Sequence, residues 1–131
     1  MSMFNGVYQV NVRVRDIQKA TKWYVEVLGF SIHKDFGDTV VLRTDHGGGT
    51  PLCLIAMPEG ELSDRNAENG SHPVIQISSE GAELCQEYLK EKGASIIDGS
   101  KAHFRFKDPE GNLLEAYLPG LYDNENYAHL R

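Results

Sequence analysis

The chain has 131 residues, of which 40% are hydrophobic and 24% are charged, and its formal net charge is -6. This length suits one domain, or two small modules sharing a core, that folds without disulfide staples. An acidic chain without a basic run is a poor candidate for nucleic-acid binding. No apolar stretch approaches the ~18 residues of a membrane span. We therefore predict neither nucleic acid nor a membrane as a partner.

The N-terminus and the cysteines indicate where in the cell the protein is located. Residues 1–5 carry neither the charged nor the apolar segment of a secretory signal. Cys53 and Cys85 are too few for a disulfide framework. These features predict a reduced, cytoplasmic protein.

The first half of the chain predicts a strand, a helix and three more strands. Residues 7–14 alternate, with valines on one face and polar side chains on the other. Asp16 is a good helix N-cap, and Gly29 fits the position that ends the helix. The polar face of the first strand carries Gln9, Asn11 and Arg13. The later strands are predicted over residues 30–36, 39–44 and 52–57.

Two segments of this half read as connections. The run Asp45–Gly49 is a flexible turn; it lacks the lysine of a phosphate-binding loop, which we therefore reject. Pro58–Ser71 is polar and acidic, and it is longer than most connections. We interpret it as a linker, serving either as a crossover between modules or as a mobile lid.

After this linker the pattern restarts. Residues 72–78 alternate, Ser79 is the predicted cap of a second helix, and Gly93 ends that helix. The apolar stripe of the helix comprises Leu84, Cys85, Tyr88 and Leu89. An Asp98–Gly99 hairpin turn is predicted between the next two strands. Those strands and the last one cover residues 94–97, 101–106 and 113–118.

The two halves therefore form an internal β-α-β-β-β repeat, with modules at residues 5–57 and 72–118. Gln9 precedes the cap Asp16 by seven residues, and His72 precedes the predicted cap Ser79 by the same interval. Residues 119–131 form a polar and aromatic tail, either loose or docked on a neighbouring element.

The last two strands carry the most informative side chains. Asp108, Pro109 and Gly111 suit a type I turn before the final strand. On that strand Glu115 and Tyr117 face away from the apolar row, so that Glu115 faces either solvent or a site. On the preceding strand His103 and Arg105 alternate with phenylalanines. Arg105, like Arg13, could bind a substrate carboxylate or phosphate, or it could be solvated at the rim of the sheet.

Two stretches resemble a known family. Val12-Arg13-Val14-Arg15-Asp16-Ile17, with Trp23-Tyr24 and Val27-Leu28-Gly29-Phe30, resembles the opening of the vicinal oxygen chelate superfamily. Asp108-Pro109-Glu110-Gly111-Asn112, followed by Glu115, resembles its closing signature. The superfamily includes glyoxalase I, fosfomycin- and bleomycin-resistance proteins, and extradiol dioxygenases. The resemblance implies an α+β fold of two tandem βαβββ modules, whose curved mixed sheets enclose a cavity.

The resemblance also implies a metal site. Its metal-binding members place ligands on the first and last strands of each module, which here gives Gln9, His72 and Glu115. The bound ion would be divalent: Zn, Ni, Mn, Co or Fe. The fourth position falls on Cys53 by strand pattern or on Leu54 by counting back from the linker. In a metal-free relative, His72 and Glu115 would instead make hydrogen bonds inside the cavity.

The implied function is a divalent-metal-dependent lyase or isomerase acting on a small oxygen-chelating molecule, with Glu115 as the catalytic carboxylate. One alternative is a metal-free protein that binds and sequesters an antibiotic. Another is an extradiol dioxygenase-like enzyme, although Gln9 stands where that chemistry needs a histidine. Superfamily members commonly pair, which implies a homodimer. The predicted substrate-binding residues are Asn11, Arg13, Gln76, His103, Arg105 and Tyr117.

Overall fold

The computed structural model describes residues 2–44, 49–57 and 70–131, and the chain divides into two compact units, residues 1–62 and 63–131. Most of the predicted glycine-rich turn (residues 45–48) and of the linker (residues 58–69) lies outside the described residues. Within the described ranges, no helix combines the length and apolar character needed to cross a membrane.

The first unit contains one helix and one four-stranded mixed sheet of order β1-β4-β3-β2. Strand β1 pairs in parallel with β4, and the other pairs are antiparallel. The side chain of Asp16 accepts a hydrogen bond from the backbone N–H of Lys19, which confirms the predicted N-cap. The helix ends slightly earlier than predicted, with Val27 as its C-cap, and Gly29 lies two residues beyond that cap at φ +80°. The elements are β1 Val10–Val14, α1 Ile17–Glu26, β2 Phe30–Asp35, β3 Thr39–Thr44 and β4 Leu52–Ala56.

The second unit repeats this arrangement with a sheet of order β5-β8-β7-β6, in which only β5 and β8 run parallel. Two four-stranded mixed sheets therefore confirm the predicted fold class, while the enclosed cavity stays a prediction. Buried Phe104, Phe106 and Leu114 form part of the core of this unit. The elements are β5 Val74–Gln76, α2 Cys85–Glu91, β6 Ser95–Gly99, β7 His103–Lys107 and β8 Leu113–Tyr117, with 3-10 turns at Ser79–Gly81 and Glu125–Leu130.

The start of the second helix differs from the prediction. Ser78, rather than Ser79, is the cap: its side chain accepts from the N–H of Gly81 and closes a 3-10 turn. The α-helix then begins only at Cys85. Leu84 falls in the break and is 71% exposed, so that it lies outside the buried stripe, whereas Leu89 is buried.

The predicted Asp98–Gly99 turn is also wrong. Both residues belong to β6, where Asp98 pairs with Arg105 and Gly99 pairs with Phe104. The chain reverses one step later, where the N–H of Ser100 donates to the carbonyl of His103 at 2.8 Å. Gly99 has φ +120°, and a Cβ there would overlap the backbone of Phe104. The glycine thus serves close strand packing rather than a tight turn.

The turn predicted before β8 is present, since the N–H of Gly111 donates to the carbonyl of Asp108 at 2.9 Å, and it is also buried. Asp108 is 5% exposed and Asn112 is 8% exposed. One carboxylate oxygen of Asp108 accepts from the N–H groups of Glu110 and Asn112, and the other accepts from the side-chain amide of Asn112. The motif therefore has a structural role in fixing the start of β8.

The C-terminal segment, residues 119–131, docks on the second unit, which resolves the choice between a loose and a docked tail. Leu121 and Leu130 are buried, and the N–H of Ala102 donates to the carbonyl of Leu130. The guanidinium of Arg131 donates to the carbonyl of Leu121 at 2.8 Å. Apolar burial and these hydrogen bonds hold the segment against the loop that precedes β7.

Candidate metal and substrate site

Glu115 lies in the middle of β8, flanked by buried Leu114 and Ala116, and its side chain is 21% exposed. It is paired in register with Val74 on one side and with Arg105 on the other. Because side chains alternate along a strand, Glu115 leaves the core face that its neighbours occupy. The strand therefore presents a half-buried carboxylate on the face opposite the core.

Two histidines converge on this carboxylate. Nε2 of His72 lies 2.8 Å from Oε1, and Nε2 of His103 lies 2.7 Å from Oε2. An ionised carboxylate only accepts hydrogen bonds, so each imidazole donates from an Nε2–H group. The three side chains form what we call the His–Glu–His cluster, and His72 enters it from just before β5, the strand beside β8.

The cluster favours the ionised form of Glu115. The pKa of its carboxyl is lowered, first by the hydrogen bond from His72 and then by that from His103, while burial opposes the shift. Hydrogen bonds to the charged form of an acid stabilise that form. Glu115 is thus a carboxylate under ordinary conditions, available as a metal ligand or as a base.

Two tyrosines line the far side of His103. The hydroxyl of Tyr122 lies 2.7 Å from Nδ1 of His103. The ring of Tyr117 meets His103 edge-on at a centroid distance of 5.0 Å, and it stacks on the ring of Tyr122 at 6.2 Å. Since Nε2 of His103 carries a hydrogen, its Nδ1 in the neutral ring accepts from the Tyr122 hydroxyl. The result is a hydrogen-bonded chain from Tyr122 through His103 to Glu115.

His72 and Glu115 fit a divalent metal in chemistry. Imidazole nitrogen and carboxylate oxygen are the donors that Zn, Mn and related ions accept. Two ligands about 2.1 Å from an ion and about a right angle apart are separated by roughly 3 Å, close to the observed 2.8 Å. Nδ1 of His72 is buried and has no hydrogen-bond partner among the described residues.

The cluster is not a ready three-ligand pocket. In the ranges that the structure describes, no three His, Cys, Asp or Glu side chains are grouped so that they could hold a metal ion. The two imidazoles approach different oxygens of Glu115, which spreads the nitrogens rather than gathering them around one point. His72 and Glu115 are therefore the pair that fits, with other ligands required.

In the first unit, Gln9 is engaged locally. Its side-chain amide donates to Oδ1 of Asn11 at 2.8 Å, and it also hydrogen-bonds the thiol of Cys53. Burial raises the pKa of Cys53, and the bond from Gln9 offsets only part of that rise. In the free protein Cys53 is thus a neutral thiol.

Strand register decides which residue matches Glu115 in the first unit. Asn11, two residues after Gln9, pairs with Cys53 on β4. Val74, two residues after His72, pairs with Glu115 on β8. Cys53, and not Leu54, is therefore the equivalent of Glu115, just as Gln9 is the equivalent of His72.

The remaining predicted substrate residues are dispersed. Arg105 is bound by the carboxylate of Asp98 on the neighbouring strand, at 2.9 Å from Nε. That pairing lowers the pKa of Asp98 and occupies the guanidinium fork that would have bound a substrate anion. Gln76 and Arg13 are exposed, on β5 and β1 respectively. Of the six predicted substrate residues, His103 and Tyr117 belong to the cluster or its lining.

Sequence reasoning missed Tyr122. The residue lies in the C-terminal segment, for which the sequence shows no periodicity. Pro119-Gly120 was the available signal, since that dipeptide marks a turn. Gly120 adopts φ +83°, and the N–H of Leu121 donates back to the carbonyl of Leu118 at 3.0 Å. This reversal carries Tyr122 back beside Tyr117.

Comparison with known proteins identifies the family of this chain. Residues 6–116 match the Glyoxalase/Bleomycin resistance protein/Dioxygenase superfamily. The chain belongs to this superfamily, which confirms the resemblance seen at its two ends. It is also 24% identical over 122 residues to the glutathione transferase FosA of Serratia marcescens, covering 91% of this chain and 84% of that protein.

Solved structures share the fold. The fosfomycin resistance protein FosX from Listeria monocytogenes superposes with a TM-score of 0.69 at 21% identity, covering 91% of this chain and 95% of FosX. A glyoxalase/bleomycin resistance protein/dioxygenase from Alicyclobacillus acidocaldarius gives a TM-score of 0.66 at 19% identity, covering 94% and 96% of the two chains. The paired mixed sheets are thus those of the superfamily.

Proposed function

We propose that this chain is a divalent-metal-dependent enzyme of the glyoxalase superfamily, of the lyase or isomerase type, acting on a small molecule with two neighbouring oxygens. The observation that carries the proposal is the half-buried His72–Glu115 pair, separated by 2.8 Å. Glu115 lies on β8 and His72 lies just before β5, and the family resemblance implies metal ligands at these two places. His72 and Glu115 would hold the ion.

A divalent ion at this pair would polarise coordinated substrate oxygens and stabilise negative charge on them. The chain itself would make two further contributions. Glu115 stays ionised and offers a carboxylate that can accept a proton from bound substrate. The rings of Tyr117 and Tyr122 pack against the ring of His103 and restrict its orientation beside Glu115. The ligand role of Gln9 stays a prediction, tested by the effect of Gln9→Ala on metal affinity.

The named relatives suggest the first substrates to try. FosA is described as a glutathione transferase, and FosX as a fosfomycin resistance protein. We therefore propose incubation of the metal-loaded chain with fosfomycin, with and without glutathione, and detection of products by mass spectrometry. Turnover above that of the Glu115→Gln variant supports an activity related to these proteins. Its absence restricts the proposal to other oxygen-chelating molecules.

A second candidate, a metal-free binding protein, is favoured by one observation. Both oxygens of Glu115 already accept hydrogen bonds from imidazoles, so that the carboxylate is satisfied without an ion. The equivalent position in the first unit holds the neutral thiol of Cys53. Such a protein would sequester its ligand without reaction.

Metal analysis separates the two candidates. Protein purified without chelator, and protein reconstituted separately with Mn, Co, Ni, Zn and Fe, is assayed for bound metal by mass spectrometry. The enzyme proposal expects close to one ion per chain in the wild type and a large loss in Glu115→Gln. Substoichiometric binding of every ion rejects it and leaves the sequestration candidate.

Glu83→Gln is the matched control for this test. The Glu83 carboxylate also accepts from an imidazole, that of His129 at 2.6 Å, but Glu83 is 55% exposed. The bond from His129 lowers the pKa of Glu83. The control therefore removes a chemically similar carboxylate outside the cluster, and we expect metal content to be unchanged.

We also propose a homodimer. Four large apolar side chains of the N-terminal segment are 72–90% exposed in the isolated chain. Several exposed large apolar side chains within six residues of sequence are typical of a surface that a partner covers. The exposed residues are Met3, Phe4, Val7 and Tyr8. Light scattering at micromolar concentration should give twice the mass of the chain; a monomer at all concentrations would reject the dimer.

A further inference from the structure

We propose that His103 is a positioning residue for Glu115, held in place by Tyr122 of the C-terminal segment. The inference rests on the proposed metal-binding function and adds to it a role for two residues. His103 acts through the carboxylate, without binding the ion. Tyr122 acts through His103, so that the docked segment becomes part of the site.

The first support is that each carboxylate oxygen of Glu115 is hydrogen-bonded to a different histidine. Its two oxygens have different partners: Oε1 faces Nε2 of His72, and Oε2 faces Nε2 of His103. A carboxylate on a three-bond side chain rotates unless both oxygens are held. His103 pins Oε2, which leaves Oε1 beside His72, the other residue of the metal-fitting pair.

The second support is the confinement of His103 itself. Its backbone is fixed in β7 opposite Tyr117, and its ring is packed edge-on against Tyr117 at 5.0 Å and against Tyr122 at 5.7 Å. The acceptor-only carboxylate of Glu115 requires a hydrogen on Nε2 of His103, and the Tyr122 hydroxyl matches this tautomer by donating to Nδ1. A ring with both nitrogens engaged cannot turn over without losing both hydrogen bonds.

The third support is the anchoring of Tyr122. The residue is 54% exposed, so burial of its own ring does not hold it in place. Its neighbour Leu121 is fully buried, and the carbonyl of Leu121 accepts from the guanidinium of Arg131. Docking of the segment therefore sets the position of the hydroxyl that orients His103. Groups that orient metal ligands contribute to affinity although they never touch the ion.

The test measures metal affinity and ligand field rather than activity. Chelator-treated wild type, His103→Phe, His103→Gln and Tyr122→Phe are titrated with Co²⁺ by calorimetry, and the visible absorption of bound Co²⁺ is recorded. His103→Phe keeps the aromatic packing and loses both hydrogen bonds. We expect its affinity to fall by about 10- to 100-fold, the usual effect of losing a group that orients a ligand, with Co²⁺ band positions unchanged.

Two variants grade the effect. His103→Gln restores an N–H donor and should recover part of the lost affinity. Tyr122→Phe removes one neutral hydrogen bond and should weaken binding by about two- to fivefold. Tyr127→Phe removes a hydroxyl from the same C-terminal segment outside the cluster and should leave the affinity unchanged. Circular dichroism and thermal unfolding establish that each variant is folded.

Unchanged affinity in His103→Phe overturns the positioning role while leaving the proposed metal site standing. If that variant does not fold, Tyr122→Phe decides, and wild-type affinity there overturns the proposal. Shifted Co²⁺ bands in His103→Phe would make His103 a direct ligand, which also overturns it. A wild-type chain that binds no ion rejects the proposed function itself, and the positioning role with it.

Discussion

Cys53 occupies in the first unit the register position that Glu115 occupies in the second. Asn11, two residues after Gln9, pairs with Cys53 on β4. Val74, two residues after His72, pairs in the same way with Glu115 on β8. The internal repeat is thus symmetric in backbone and asymmetric in chemistry. One unit presents a carboxylate with two imidazoles, and the other presents a buried thiol with a carboxamide.

This asymmetry predicts an unreactive thiol. In a Cys85→Ala background, Cys53 should react with a disulfide reagent at neutral pH only as fast as the protein opens, because it is fully buried and burial raises its pKa. The measurement is the labelling rate with and without denaturant. In a Cys53→Ala background, the partly buried Cys85 should label faster. Equally rapid labelling of both thiols would contradict the buried environment of Cys53.

A second prediction concerns the pH dependence of stability. The pKa of Glu115 is lowered in the folded chain, so the interactions of its carboxylate contribute their full stabilisation at pH values above the ordinary glutamate pKa. That contribution is lost as pH falls below about 4.3 and through the lowered folded value. The difference in free energy of unfolding between wild type and Glu115→Gln should therefore shrink from pH 5 towards about pH 3. A difference that stays constant over this range would contradict the low pKa.

The buried turn before β8 predicts a large cost for Asp108→Ala. The substitution leaves two backbone N–H groups and the side-chain amide of Asn112 without their acceptor inside a buried turn. We expect a loss of about 3 kcal/mol in the free energy of unfolding, measured by urea denaturation. Asp108→Asn keeps one acceptor oxygen and should lose less. Equal, small losses in both variants would show that the turn does not depend on these bonds.

Docking of the C-terminal segment predicts a core-like response at Leu121. Because this side chain is fully buried, Leu121→Ala should lower the free energy of unfolding by about 2–5 kcal/mol. His129→Ala is the comparison: His129 lies on the same segment but pairs with Glu83 at the exposed surface, so its loss should destabilise the fold much less than Leu121→Ala. Similar stabilities for Leu121→Ala and wild type would mean that the segment does not dock in solution.

Gly99 and Gly93 give a matched pair of glycine tests. Both have φ in the left-handed region, +120° and +90°, but a Cβ at Gly99 would overlap the backbone of His103 and Phe104, whereas Gly93 faces open space. Gly93→Ala should cost only the conformational strain, about 1 kcal/mol. Gly99→Ala should cost at least about 3 kcal/mol, since β6 must also separate from β7. Thermal unfolding of the two variants, compared directly, tests the close strand approach.

What the sequence alone determined is local. Alternation along β1 and β8, the Asp16 cap and the glycines after both helices give the element order, because each depends on neighbours a few residues away. Repetition of that order, with the end motifs, was enough to predict the two-module fold and its family. The same patterns predicted that Glu115 leaves the apolar face of its strand.

The tertiary structure decided which side chains meet. His72 and Glu115 are 43 residues apart in the chain, and only the parallel pairing of β5 with β8 brings them together. Strand register likewise shows that Cys53, and not Leu54, is the equivalent of Glu115 in the first unit. It also places Arg105 opposite Asp98, so that the two side chains pair. The C-terminal fold-back brought Tyr122 to His103. Pairing partners and register are set by packing over long separations, for which the local pattern of one strand carries no signal.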